Sequence, residues 1–286
     1  MKKKYVLLIV ATIISGVLLV PAIISLHNYN NYNYARKLNT AIEKNDVDAV
    51  KKLLGSPFGN VNSATAGYHI YTVFNDVEFK TPLQTACWEG NLEVVKLLID
   101  AGADVNRIVP ILSYYSPLMH AVGSDSPEAM DIAKLLIENG ADAKYSITYG
   151  RDALWEAIGY RHNNFDLIEM VELLETAGAN INKEYFGGTI LNEACENGAY
   201  LLIRYLVGER GLDVNNIDDQ GITPLMEVCR RSRENNGDTL RYLLEHGADR
   251  TLVSKEGKTA YDYANEDERP DYCEILDEYY PTESSN

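Results

Sequence analysis

The sequence predicts an all-α solenoid of about six to seven helix-turn-helix units, preceded by one N-terminal transmembrane helix. Three observations carry this reading. Leu83, Leu118, Leu154, Leu191 and Leu225 are separated by 35, 36, 37 and 34 residues. Ala86, Ala121, Ala157, Ala194 and Val228, each three residues later, keep the same separations. A fixed period of this kind marks one supersecondary unit repeated, each burying its apolar face on its neighbours. Third, Tyr5 to Leu26 is a run of 22 residues without a charge, behind Lys2, Lys3 and Lys4. The expected layout is a short basic terminus at 1–4, a membrane segment at 5–26 and a spacer at 27–35. The repeat domain then occupies 36–280 and a tail 281–286.

As a helix the apolar run is about 33 Å long, enough for a hydrocarbon core of about 30 Å. Gly16 and Pro21 are tolerated in such a helix. An uncleaved signal-anchor is favoured over a cleaved signal peptide. Val20-Pro21-Ala22 offers a passable small-residue cleavage site, but the apolar run continues past it through Ile23, Ile24 and Leu26. The basic terminus favours the cytoplasm for itself and a place outside the cytoplasm for the repeats, a bias weakened by Arg36 and Lys37. Cleavage would instead give an exported soluble protein. The tract His27 to Tyr34, HNYNNYNY, reads as a short spacer at the membrane interface, where tyrosine suits the headgroup level.

Each unit after the first is justified by its own helix signals. In the second, Thr81 is a helix N-cap and Pro82 stands at the first helical position. Leu83, Ala86 and Cys87 share one face of a short helix. Gly90-Asn91 turns the chain, and Leu92, Val95, Leu98 and Ile99 mark a second amphipathic helix. Gly102 ends it, and a polar connection with Asp104 and Asn106 follows. The third unit carries Ser116-Pro117-Leu118, Ala121, Lys134-Leu135-Leu136 and Gly140-Ala141-Asp142. In the fourth stand Leu154, Ala157, Val171-Glu172-Leu173-Leu174 and Gly178-Ala179-Asn180-Ile181-Asn182. The fifth has Thr189-Ile190-Leu191, Ala194, Gly198 and Asp213-Val214-Asn215, and the sixth Thr223-Pro224-Leu225, Leu243-Leu244 and Gly247-Ala248-Asp249. Degenerate end units centre on Leu38, Ala41, Val50 and Leu53 and on Thr259-Ala260, Ala264, Ile275 and Leu276. Such ends are what capping units require, since one side faces water.

These motifs, in register from about Ala35 to Tyr280, are similar to those of the ankyrin repeat family. The resemblance implies helical pairs joined by projecting fingers, and a protein-interaction role without catalysis. Insertions interrupt the pattern at Gly55 to Phe79, Gly123 to Pro127, Tyr160 to Asn164 and Arg230 to Gly237.

The formal net charge is −16, and the three lysines near the start leave the repeats more acidic still. Such a surface repels phosphate backbones, excludes nucleic acid as a partner and favours a basic protein. Cys87, Cys195 and Cys229 fall at one equivalent helix position, and packed helices hold such positions about 8–10 Å apart, beyond disulfide reach. With Cys273 they read as small buried hydrophobes. No metal, cofactor or catalytic constellation is expected. The five histidines have no ligand spacing, and Gly257-Lys258-Thr259 lacks the preceding glycine that a phosphate loop needs, Leu252 standing there instead.

Tyrosine is the informative residue: 20 Tyr stand against 5 Phe, and many fall between repeats. Tyr68, Tyr71 and Phe74 lie in the first connection, Tyr114 and Tyr115 in the second, Tyr145 and Tyr149 in the third, and Tyr185 and Phe186 in the fourth. Amphipathic aromatics on fingers suit a partner-binding patch; they also suit packing of one finger on the next. The later fingers, such as Asn216 to Gln220, are polar. The chain is therefore expected to be a non-catalytic interaction scaffold tethered to a membrane. The alternative is an acidic inhibitor or immunity-type protein that masks a basic toxin or enzyme.

Overall fold

The computed structural model describes residues 30–56, 59–64, 80–109, 114–160, 167–185, 188–231 and 236–279. The expected membrane segment, 5–26, lies outside them, and no helix among the described residues is long and apolar enough to cross a membrane. The chain divides into two compact units, Met1–Pro117 and Leu118–Asn286.

In the first unit, residues 30–43 form helix α1 and Val47–Leu54 form α2, followed by α3 (Pro82–Glu89) and α4 (Leu92–Asp100). Leu38, Ile42, Val50, Leu83, Val95 and Leu98 are buried. The helical stretch begins inside the expected spacer, because the tract's last tyrosine has a packing role. The Tyr34 hydroxyl donates to the Leu53 carbonyl, and its ring lies where a Cβ on Gly59 would stand. Residues 30–35 are thus part of helix α1.

Helix α5 covers Pro117–Val122. It is followed by α6 (Ala129–Glu138), α7 (Ala153–Tyr160), α8 (Leu167–Thr176), α9 (Ile190–Asn197) and α10 (Tyr200–Arg204). Then come α11 (Pro224–Arg230), α12 (Asn236–Glu245), α13 (Ala260–Glu266) and α14 (Pro270–Glu278). These make seven helical pairs among the described residues, and no strand forms there. Within the second unit the inner helices α7, α9, α11 and α13 pack in succession, as do the outer helices α8, α10, α12 and α14. Leu154, Ala157, Leu191, Ala194, Leu225 and Val228 are wholly buried between them.

The repeated caps explain why the pairs start where they do. The Thr81 hydroxyl accepts from the Gln84 amide at 3.2 Å, and the Gln84 side chain accepts from the Thr81 amide at 2.8 Å. The same Gln84 donates to the carbonyls of Arg107 and Tyr115, tying the next connection to the helix. Asn192, at the equivalent position of α9, accepts from the Thr189 amide and donates to the Ile222 carbonyl. The recurring Asp or Asn after each outer helix closes a local turn: Asp104, Asp142, Asn180, Asp213 and Asp249 each accept from the amide two residues on.

Cys87, Cys195 and Cys229 are buried unpaired thiols, while Cys273 is unpaired but half-exposed. The last outer helix has no following repeat among the described residues to cover that side chain.

Candidate partner-binding surface

The finger between α6 and α7 lies wholly within the described residues. Ser146 and Asp152 form an antiparallel bridge, the Ile147 amide donates to the Arg151 carbonyl at 2.8 Å, and the Gly150 amide donates to the Ile147 carbonyl at 3.1 Å. The tip is a tight turn in which Tyr149 takes φ 66° and Gly150 φ 80°. Glycine accepts that conformation freely; a bulky aromatic does so at a cost of order 1 kcal/mol. The strained Tyr149 side chain is 62% exposed.

What holds the finger is buried beneath it. The Asp152 carboxylate caps α7 by accepting from the Leu154 and Trp155 amides. It also accepts from the Lys183 ammonium at 2.8 Å and from the Tyr185 hydroxyl at 3.1 Å. Lys183 donates in addition to the Gly150 carbonyl at 2.6 Å, joining the tip of this finger to the next connection. The Tyr185 ring stands 4.7 Å from that of Trp155. Burial, and then the Asp152 charge, push the Tyr185 phenol far above its ordinary range.

Of the predicted contact residues, Tyr149 and Tyr114 are exposed, and Tyr115 and Tyr145 are half-buried. Tyr185 is buried, at 7% exposure, because its ring and hydroxyl are spent on Trp155 and Asp152. It supports a finger and does not stand out as a contact. Tyr68, Tyr71, Phe74 and Phe186 lie outside the described residues. The later fingers are less polar than expected: Ile217 and Val253 are 55% and 59% exposed. Each stands six residues before a capping threonine, Thr223 or Thr259, so they are equivalent positions in consecutive repeats. The Lys255 amide donates to the Gln220 carbonyl at 2.9 Å, binding the two fingers together. Their shared register was the signal that could have found them.

The acidity of the chain also has an ordered component. Glu156, Glu193 and Glu227 stand two residues after the repeated leucine of α7, α9 and α11, and all three are buried. Arg151 approaches Glu156 at 2.9 Å, and Glu227 is held by Arg230 at 2.7 Å and Arg231 at 3.2 Å. Arg231 reaches on to Glu196. Glu193 is bonded instead to the neutral Asn197 amide at 2.9 Å. Burial, with repulsion from Glu196, pushes its carboxyl up to about 7.

Elsewhere the chemistry is spoken for. Thr259 and Asp262 form the capping box of α13, and the Lys258 ammonium is paired with Glu266 and Glu256. Burial raises the Cys87, Cys195 and Cys229 thiols far above the range in which a thiolate would react.

Stacked helical pairs with hairpin fingers between them define a helical-repeat protein. The family model described as ankyrin repeats (3 copies) matches residues 8–109, 163–252 and 191–283, well over half of the sequence. The chain belongs to the ankyrin repeat family. It is 33% identical over 192 residues to the ankyrin repeat protein YahD of Escherichia coli (strain K12), covering 63% of this chain and 87% of that protein. Against two longer curated relatives it spans only 13% and 16% of their length. The solved structure of the human ASB11 ankyrin repeat domain matches with TM-score 0.65 and 25% identity, over 86% of this chain and 99% of that one. A chain of a solved complex also matches, with TM-score 0.57 and 26% identity, over 68% of this chain and 96% of that one. That complex is of a predatory endopeptidase from Bdellovibrio bacteriovorus with an immunity protein.

Proposed function

We propose that the chain is a non-catalytic protein-interaction scaffold, tethered to a membrane by residues 5–26 with its repeats outside the cytoplasm. The observation that carries the interaction role is the finger at Ser146–Asp152, where a strained, exposed Tyr149 stands at the tip of a turn anchored by the partly buried Asp152–Lys183 ion pair. A tyrosine, with only two side-chain torsions, loses little entropy on contact, which is what an interface anchor needs. Tethering rests on the 22 uncharged residues behind three lysines. The test places a photoreactive phenylalanine at Tyr149 in the full-length chain in its own cells. Discrete protein adducts that vanish under competition by the unlabelled chain are the expected result. Absence of any adduct from Tyr149, Tyr114 and Ile217 alike overturns the scaffold reading. A C-terminal tag that stays with the membrane fraction and is cut by protease before the inner membrane is breached supports the tether; a tag recovered in a soluble fraction removes it.

A second reading has support of its own. The net charge of −16 and the likeness to a chain from a complex of an endopeptidase with an immunity protein favour an acidic inhibitor that masks a basic enzyme. Adducts at Tyr149 to one basic enzyme, with rescue of cells from it, would select this reading over a general scaffold.

A further inference from the structure

The outer helices of the second unit carry few cations, and nearly all are matched to an acid on a neighbouring element. Lys134 of α6 pairs with Glu169 at 2.8 Å, Arg210 pairs with Glu175, and Arg241 of α12 pairs with Glu278. Arg204 of α10 is the exception. It is exposed and forms no ion pair among the described residues. Its guanidinium carbon lies 5.9 Å from the centre of the Tyr200 ring and 5.8 Å from that of Tyr242.

This arrangement is built by the backbone. The chain leaves α10 through a π-helical turn, Tyr205–Glu209, of a kind that recurs at functional sites. The turn carries Gly208, where a Cβ would come within 2.8 Å of the Tyr242 hydroxyl. Absence of that carbon lets Tyr242 cross from α12 and donate to the Arg204 carbonyl at 3.2 Å. Tyr200 and Tyr242 meet edge to face at 6.3 Å, and the His246 ring stacks on Tyr242 at 4.0 Å. Leu201, 49% exposed, stands one residue before Leu202 on the same helix, within a turn of Arg204. Arginine and tyrosine are among the residues enriched in interface hot spots.

We infer that the Arg204, Tyr200, Tyr242 and His246 cluster is a docking site for a carboxylate side chain of a protein partner. Arg204 is exposed beside these rings, and a planar guanidinium fork matches a carboxylate through two parallel hydrogen bonds. Charge complementarity selects the occupant: on an acidic chain whose neighbouring cations are paired internally, Arg204 presents a positive charge that matches an acidic side chain of a partner. The inference rests on reading the chain as a protein-interaction scaffold and adds a second contact on its outer helices.

The test is photo-cross-linking from Leu201 of the full-length chain in its own cells, with adduct peptides sequenced. Expected adducts carry Asp or Glu beside the cross-linked residue. Their yield falls at least tenfold in Arg204→Gln and in Gly208→Ala, which displaces Tyr242, and less in Arg204→Lys; melting temperatures confirm that each variant folds. Adducts that persist unchanged in Arg204→Gln, adducts in segments without acids, or adducts to lipid or nucleic acid overturn the inference. No adduct from Leu201 with adducts from Tyr149 overturns it alone, and none from either position overturns the scaffold reading with it.

Discussion

The Lys183 ammonium lies 2.8 Å from the Asp152 carboxylate, an ion pair in which the aspartate side chain is 3% exposed and the lysine 25%. The same carboxylate caps α7 and accepts from Tyr185, so one buried group joins a helix start to two consecutive connections. Removing it strands the Lys183 charge and two helix amides at once. Asp152→Ala is expected to lower the unfolding free energy by about 3 kcal/mol, read from urea denaturation. Pairing it with Lys183→Met should restore part of that loss, because the stranded charge goes too. Equal midpoints for the single variant and the wild type would show that the finger is not held this way.

Tyr149 sits at φ 66°, a conformation that asparagine tolerates better than tyrosine. Tyr149→Asn should therefore stabilise the fold by about 0.5–1 kcal/mol. The same substitution should abolish adducts from neighbouring finger positions if the side chain is an anchor. A variant that is more stable yet loses its partner would identify the strain as functional. One that is less stable would mean that the ring packs in a way its exposure does not suggest.

Much of this was legible in the sequence, for a physical reason. Thr81, Thr189, Thr223 and Thr259 cap helices through contacts within three residues, and the turns at Asp104 and Asp249 close within two, so local order of residues is enough to foresee them. The leucine and alanine period located the buried face correctly for the same reason. The site was legible only in outline. Whether Tyr149 is exposed and Tyr185 buried depends on Lys183 and Asp152, 31 residues apart, meeting under the finger. Nothing in the tyrosine spacing distinguishes the two. The buried acids Glu156, Glu193 and Glu227 share one repeat position, a signal present in the sequence but obscured by an acidic composition in which any carboxylate looks solvated.

Ala194 is wholly buried in α9, which packs on both α7 and α11. Glutamate there would place an unpaired charge and four extra heavy side-chain atoms beyond Cβ into close packing already bordered by Glu193. Ala194→Glu is expected to cost on the order of 3–5 kcal/mol. The check is a thermal melt, with Ala194→Ser as a control that keeps the volume nearly constant and loses far less. An unchanged melt for the glutamate variant would refute the helix register.

Glu193 gives the pH dependence its sign. Its carboxyl is raised from 4.5 to about 7, first by burial and then by repulsion from Glu196, while the Asn197 amide and Arg151 oppose the shift. A raised carboxyl binds its proton more tightly in the folded chain than in the unfolded one. Between the two values the unfolded state has already released the proton that the folded state retains. Stability from this group therefore falls as pH rises from about 4.5 to about 7, then stays at its lower level. Glutamine mimics the protonated acid at every pH. Glu193→Gln should match the wild type near pH 4 and exceed it at pH 8 by on the order of 1–3 kcal/mol. Urea midpoints of both proteins at the two pH values measure this difference while other titrating groups cancel. A gap that is equal at both would mean that Glu193 ionises in the fold as easily as in the unfolded chain, and that the Asn197 and Arg151 contacts fully offset its burial.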